Sequence, residues 1–185
     1  MADVRKRLQS AGFLPAVALL LWWAIRLSVQ SRVSFETGIA VGALAHFGLM
    51  LTFLYVIDSQ NVGVDSFLSR FKVNLKPVMV YVCLAAGSVG VFHHSIAREA
   101  TALHRLKREQ FIEQSLADEE AYQALQEEDP RLQAMDRDTA IQRAKESLAF
   151  QFNPWWHITA SLLVLLTVGL VSTLFVSALG QVLHR

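Results

Sequence analysis

Cysteine and charge are the two scarce features of this 185-residue sequence. A single cysteine, Cys83, excludes any disulfide within the chain and any cysteine-rich metal site. Only 18% of the residues are charged and 53% are apolar, which is too apolar for a disordered chain. The formal net charge of +1 gives no basic excess, so we expect no nucleic-acid partner.

The charges that are present are concentrated in one segment. Of 17 basic and 16 acidic residues, eight basic and twelve acidic residues lie between 97 and 156. Because a helix needs about 20 mostly apolar residues to cross a bilayer and must bond its backbone internally, four apolar stretches predict four transmembrane helices. These stretches are residues 12–29, 37–57, 77–96 and 157–183.

The sequence therefore predicts an all-α integral membrane four-helix bundle with an extramembrane helical hairpin. Residues 1–96 are expected to form the first three spans, with an interfacial helix near 63–75. The polar hairpin is expected at 97–156, and the fourth span with a short C-terminal tail at 157–185.

The first span begins after a basic segment, and it could be a cleaved signal peptide or a retained signal anchor. Its apolar run is long, no A-x-A cleavage site follows it, and it contains the bulky pair Trp22-Trp23, so we interpret it as a retained anchor. Arg26 lies near its far end, where we expect the side chain to extend toward the lipid headgroups.

Aromatic residues predict where the bilayer surfaces lie. Residues 64–75 show helical apolar periodicity, which predicts an amphipathic helix with Phe67 and Phe71 in the acyl boundary and Lys72 toward the headgroups. The alternative is that this segment packs under the bundle. Trp155 and Trp156, ahead of the fourth span, are predicted to form an interfacial anchor on the other side.

The polar segment shows its own helical pattern. Ile96, Leu103 and Leu106 predict an apolar stripe on a first helix, and Asp138 is expected to cap a last helix over 139–152. We expect the stripes of this hairpin to face one another; the alternative is that they face a partner.

Basic residues near the span ends indicate orientation, because short cytoplasmic segments are enriched in Lys and Arg. We expect both termini in the cytoplasm and residues 97–156 outside it. Seven basic residues support this side against two: Arg5, Lys6, Arg7, Arg70, Lys72, Lys76 and Arg185, against Arg26 and Arg32.

The order of these elements resembles an uncharacterised family, a domain of unknown function, of small bacterial inner-membrane proteins. The segment SFLSRFKVNL at 66–75 is similar to that family's S-F-x-x-x-F-K-x-G-L pattern before the third span, with Asn74 where the family usually has Gly. The resemblance implies the four-span fold and a bacterial inner-membrane location, and it offers no catalytic residue.

Small residues and histidines are the remaining candidate sites. Small residues at four-residue spacing let membrane helices approach closely, which predicts packing positions at Gly38, Gly42, Gly87, Gly90, Gly169, Thr173 and Ser177. The alternative is a groove for a neutral or lipid-like ligand lined by Ser88, Thr173 and Ser177. His93 or His94 with His157 could hold haem or metal at the outer boundary, whereas His46 lies near the midplane without a histidine partner.

The function predicted from these features is a non-enzymatic accessory or scaffold component. Carboxylates occur at the ends of the spans and not within them, which disfavours proton-coupled transport, and no phosphate loop or nucleophile motif is present. We expect no cofactor, and as partners the lipid bilayer with other membrane subunits or further copies of the chain. The alternatives are a haem- or metal-bearing electron-transfer subunit and a small transporter or lipid-handling protein.

Overall fold

The structure, a computed structural model, is all-α. It describes the backbone of residues 2–30, 32–61, 64, 66–128, 132 and 135–183, with the side chains of these residues except those of 2–12, 121, 125 and 128. In this part of the chain there are seven α-helices, one π-helix and no strand. The elements are α1 (Ala2–Gln30), α2 (Phe35–Ser59), α3 (Phe67–Val91), the π-helix (Phe92–Ile96), α4 (Arg98–Ala117), α5 (Glu119–Glu128), α6 (Arg137–Gln151) and α7 (Pro154–Leu183).

Within the residues that the structure describes, four stretches are long and apolar enough to cross a membrane, which confirms the predicted all-α fold with membrane-type helices. They are Phe13–Gln30, Phe35–Ser59, Phe67–Ile96 and Pro154–Leu183. The chain divides into two compact units, which we call the bundle unit (Met1–Val89 with Ile158–Arg185) and the arm unit (Gly90–His157).

The bundle unit has an apolar core and an apolar outer surface. Its outer positions carry large exposed side chains such as Leu44, Phe175 and Val182, as expected where helices meet hydrocarbon and not water. The core is formed by Ala18, Met50, Phe53, Leu54, Ile57, Val78, Tyr81, Val82, Ala85, Leu165 and Val176.

Glycines in the bundle differ in what surrounds them. A Cβ atom at Gly169 would lie 2.6 Å from Cγ1 of Val78, so α7 and α3 approach each other closely at that point. A Cβ atom at Gly87 would meet nothing within 4 Å, so no neighbouring helix approaches closely at that position. Gly90 belongs to the arm unit and is buried.

The segment predicted as a separate interfacial helix near 63–75 is instead part of α3. Residues 63 and 65 lie outside the described residues, and from Phe67 one helix continues through Pro77 to Val91. The prediction of a separate helix was wrong because Arg70 and Asn74, in the first turns of α3, are buried and donate to the carboxylate of Asp58 in α2.

The arm unit has a small core of its own. Leu116, Tyr122 and Ala140 form it, and the Tyr122 hydroxyl donates to the carbonyl oxygen of Met135 at 2.9 Å. Helices α4 and α6 pack on each other and α5 packs on α4.

Helix α6 begins two residues earlier than predicted. Its cap is Asp136, whose Oδ1 accepts the backbone N–H of Thr139 at 2.9 Å; Asp138 lies inside the first turn. Asp136 accepts both the backbone N–H and the hydroxyl of Thr139, so it, and not Asp138, occupies the capping position. The same hydrogen bond to the Thr139 backbone lowers the pKa of Asp136 below its ordinary value.

The apolar stripe of α4 does not face the hairpin. Leu103, Leu106 and Phe111 are exposed, whereas Thr101 and Leu116 on the opposite side are buried. The prediction that the stripes face each other was wrong because α4 has apolar residues on two sides. The face that carries Leu116 packs into the core with Tyr122 and Ala140, and the face of Leu103 and Leu106 does not.

Candidate functional site

Two groups of polar side chains are buried inside the bundle unit, one near each end of the helices. We call them the Arg26 cluster (Trp22, Arg26, Gly38, Gly42, His46 and Tyr81) and the Asp58 cluster (Asp58, Arg70, Asn74, Ser177 and Gly180). Because buried polar and ionisable groups are costly in hydrocarbon, they are the first candidates for function.

Arg26 in α1 is 3% exposed and lies in a groove of α2. Its Nη1 donates to the carbonyl oxygen of Gly38. A Cβ atom at Gly42 would lie 2.8 Å from Cδ of Arg26, and one at Gly38 would lie 2.8 Å from Nη1. The two glycines therefore make room for an arginine side chain.

The expectation that Arg26 extends toward the headgroups was therefore wrong. The side chain turns inward because the missing side chains of Gly38 and Gly42 leave both space and an accessible backbone carbonyl on α2. The glycine spacing, which predicted helix packing, could equally have predicted a buried long side chain.

Aromatic contacts continue the Arg26 cluster toward the middle of the bundle. The indole N–H of Trp22 donates to the carbonyl oxygen of Gly42 at 3.0 Å, and the ring stacks on His46 with centroids 4.5 Å apart. His46 Nδ1 lies 2.6 Å from the Tyr81 hydroxyl of α3. Its Nε2 has no hydrogen-bond partner among the described residues, so this buried imidazole keeps spare hydrogen-bonding capacity.

At the other end, Asp58 at the close of α2 forms an ion pair with Arg70 of α3. Arg70 Nη1 and Asp58 Oδ2 are 2.8 Å apart, and both side chains are at most 5% exposed. Asn74 Nδ2 donates to Asp58 Oδ1 at 2.7 Å and lies 3.0 Å from Ser177 Oγ of α7. One carboxylate and one amide thus connect three helices.

Gly180 of α7 completes this cluster. A Cβ atom there would collide with Asp58 Oδ2 and would lie 2.7 Å from Arg70 Nη1, so α7 passes directly over the ion pair. Separating a buried ion pair by removing one partner costs about 3–5 kcal/mol, because the remaining charge is left without compensation. The Asp58 cluster therefore holds α2, α3 and α7 together.

The Asp58 cluster changes one premise of the sequence analysis. Carboxylates were expected only at the ends of the spans, and Asp58 does lie at the end of α2, but its side chain is buried. A buried carboxylate is therefore present in the bundle. It is neutralised in place by Arg70.

The three candidate histidine ligands lie together in the arm unit. His94 Nε2 is 3.0 Å from His157 Nδ1, and the rings of His93 and His157 have centroids 5.4 Å apart. A metal on the line between two such nitrogens would hold them about 4 Å apart, since zinc–nitrogen bonds are about 2.0–2.1 Å. In this geometry the two imidazoles bond to each other. Among the described residues, no three or more His, Cys, Asp or Glu side chains form a group that could hold a metal ion.

The three hydroxyls of the predicted ligand groove have separate partners. Thr173 donates to the carbonyl oxygen of Gly169 in its own helix at 2.7 Å, and Ser177 lies beside Asn74. Ser88 accepts from the indole N–H of Trp23 at 3.3 Å. Each of the three hydroxyls therefore has a hydrogen-bond partner within the chain.

The predicted interfacial residues differ in exposure. Phe67 and Phe71 are half-buried, with stacked rings 6.2 Å apart, and Lys72 is exposed. Trp155 is 75% exposed, and Trp156 contacts Phe150 with centroids 5.0 Å apart.

Asn74 and Tyr81 had no predicted site role, and Arg70 was counted only among the basic residues that indicate orientation. A signal was nevertheless present. Arg70 and Asn74 are four residues apart, in register with the buried Val78 and Val82, so polar groups continue the inward face of α3.

Comparison of the chain with protein-family models, with curated proteins and with solved structures gives no match.

Proposed function

We propose that this chain is an integral membrane accessory or scaffold protein that has no enzymatic activity of its own and binds partner subunits. The observation that carries the proposal is the arm unit, because residues Gly90–His157 form a compact unit with a core of its own. A folded polar unit attached to membrane helices is suited to binding other proteins.

The bundle unit supports the proposal in a second way. The charged groups of both clusters bind partners inside the bundle: Arg26 donates to the carbonyl oxygen of Gly38, and Arg70 pairs with Asp58. Such internal contacts are suited to a rigid scaffold. The alternatives gain less support, because each hydroxyl of the predicted ligand groove already bonds within the chain and the candidate ligands His94 and His157 bond to each other.

Partner binding can be tested with a photo-crosslinking residue at Gln142, which is exposed on α6, and with one at the exposed Leu163 of α7 as control. We expect a discrete protein adduct from position 142 and none from position 163. The same partner should co-purify in mild detergent at a fixed ratio. Recovery of the chain only as a monomer, with no adduct at 142, would contradict the proposal.

The location is part of the same proposal: a multi-pass protein of a bacterial inner membrane, with cytoplasmic termini and an extracytoplasmic arm unit. The test places a cysteine at Gln126 in a Cys83→Ser background and labels intact cells with a membrane-impermeant reagent. Labelling from outside is expected. Labelling only from the cytoplasmic side would reverse the topology.

A further inference from the structure

Two lysines stand on the outer side of α3, in the first turns of its candidate span. Lys72 and Lys76 are exposed and four residues apart, so they share one helix face at about 6 Å from each other along the helix axis. Among the described residues, neither ammonium group has an ion-pair partner. We call this side of α3 the lysine face.

The opposite side of α3 packs into the bundle. Arg70, Asn74 and Tyr81 are buried there, and the first two donate to the carboxylate of Asp58. Since an α-helix has 3.6 residues per turn, the two lysines and these three residues lie on roughly opposite sides of the helix. The lysine face is therefore directed away from the core of the bundle unit.

An apolar track continues the lysine face along the span. Met79, Val80 and Cys83 follow the lysines on this side and are exposed. One turn further on, a Cβ atom at Gly87 would meet nothing within 4 Å, so the helix surface is open there. The rise from Lys76 to Gly87 is about 16 Å, close to half of the hydrocarbon thickness of about 30 Å. The track therefore has the length of one membrane leaflet.

We propose that the lysine face and its apolar track bind an anionic phospholipid. The argument is charge complementarity, because lysine side chains near the end of a span reach the headgroup level and an anionic headgroup supplies the opposite charge. The acyl chain of the same lipid lies along the track. This site belongs to the bundle unit alone and does not depend on the partner binding proposed for the arm unit.

The distribution of charge along this side of α3 favours a lipid over an acidic protein segment. Both cations lie at one end, and Met79, Val80, Cys83 and Gly87 beyond them carry no charge. A phospholipid has the same arrangement, since its charge is confined to the headgroup and its chains are apolar over one leaflet.

The test uses the full-length protein in nanodiscs of equal parts phosphatidylglycerol and phosphatidylcholine. A photoactivatable acyl chain is carried by one of the two lipids at a time, and adducts are mapped by mass spectrometry. We expect several-fold more adducts from phosphatidylglycerol than from phosphatidylcholine on residues 79–87. Water-soluble glycerol phosphate should not compete, because it has no chain for the track.

Three double variants separate the lysines from general charge. Lys72→Gln with Lys76→Gln should bring the two lipids close to parity on residues 79–87, whereas Lys72→Arg with Lys76→Arg should keep the preference. Lys107→Gln with Arg108→Gln removes the same charge from exposed positions of α4 and is the matched control, in which the preference should be unchanged.

Four outcomes would overturn the proposal. Equal adducts from the two lipids in the original chain would show that the face does not select anionic lipid. An equal loss of preference in the matched control would show an effect of net charge alone. Competition by glycerol phosphate would show a site for free phosphate. Disulfide formation through Cys83 between two copies, with no lipid adduct on residues 79–87, would show that a second copy of the chain covers the face.

Discussion

The two ends of the bundle bury an arginine in two different ways. Arg26 lies in a groove of two glycines and donates to a backbone carbonyl, whereas Arg70 pairs with the carboxylate of Asp58. Loss of Arg26 would remove the donor to the carbonyl oxygen of Gly38. Loss of Arg70 would leave the buried Asp58 carboxylate without its cation, which is costly in hydrocarbon. Glycine spacing thus accommodates the arginine at one end, and a carboxylate pairs with the arginine at the other.

The largest effect is expected from Arg70→Met, which removes the partner of Asp58. We expect a loss of about 3–5 kcal/mol in the free energy of unfolding, measured by reversible denaturation in mixed micelles. Asp58→Asn combined with Arg70→Met should recover part of the loss, because no unpaired charge remains. Equal losses in the single and double variants would contradict the ion-pair explanation.

A smaller effect is expected from Gly42→Ala, because the new Cβ would lie 2.8 Å from Cδ of Arg26. Overpacking of this kind costs about 1–3 kcal/mol. The loss of stability caused by Gly42→Ala should be smaller in an Arg26→Ala background, because the Cδ atom that the new Cβ would contact is then absent. Gly48→Ala is the matched control, since a Cβ there meets nothing within 4 Å, and its stability should stay close to that of the original chain.

Tyr81→Phe tests the hydrogen bond between α2 and α3 in the Arg26 cluster. His46 Nδ1 would lose its 2.6 Å partner, and hydrogen bonds between membrane helices contribute about 0.6–1.7 kcal/mol. Tyr55→Phe, at an exposed position of α2, is the control and should be neutral. If the two variants unfold at the same denaturant concentration, the His46–Tyr81 contact contributes nothing.

The smallest effect is expected in the arm unit from Asp136→Ala, read from hydrogen exchange at the first turn of α6. Because the pKa of Asp136 is lowered in the folded protein, its stabilisation is present above the ordinary carboxyl pKa and is lost as the pH falls through the folded value. Asp136→Asn keeps a capping oxygen and should remove this pH dependence. An unchanged pH profile in that variant would show that Asp136 is not the titrating group.

The extent of sequence prediction differs between fold and site for a physical reason. The length of an apolar run is enough to predict a span, because the hydrocarbon thickness sets the length that a helix needs. The described part of the chain has four such helices. The clusters depend on which side chains meet across helices. Arg70 and Asn74 are twelve and sixteen residues from Asp58 in the sequence, and only packing brings them together. Arg26 was misplaced because a long side chain reaches either the headgroups or a glycine groove, and one sequence cannot decide between them.

The most direct test of the central claim measures unfolding of three full-length proteins side by side in the same micelles. They are the original chain, Arg70→Met and the double variant Asp58→Asn with Arg70→Met. Because Asp58 and Arg70 form a buried ion pair, the account predicts that Arg70→Met is about 3–5 kcal/mol less stable than the original chain and that the double variant regains part of this loss. Equal stability of Arg70→Met and the double variant would contradict it.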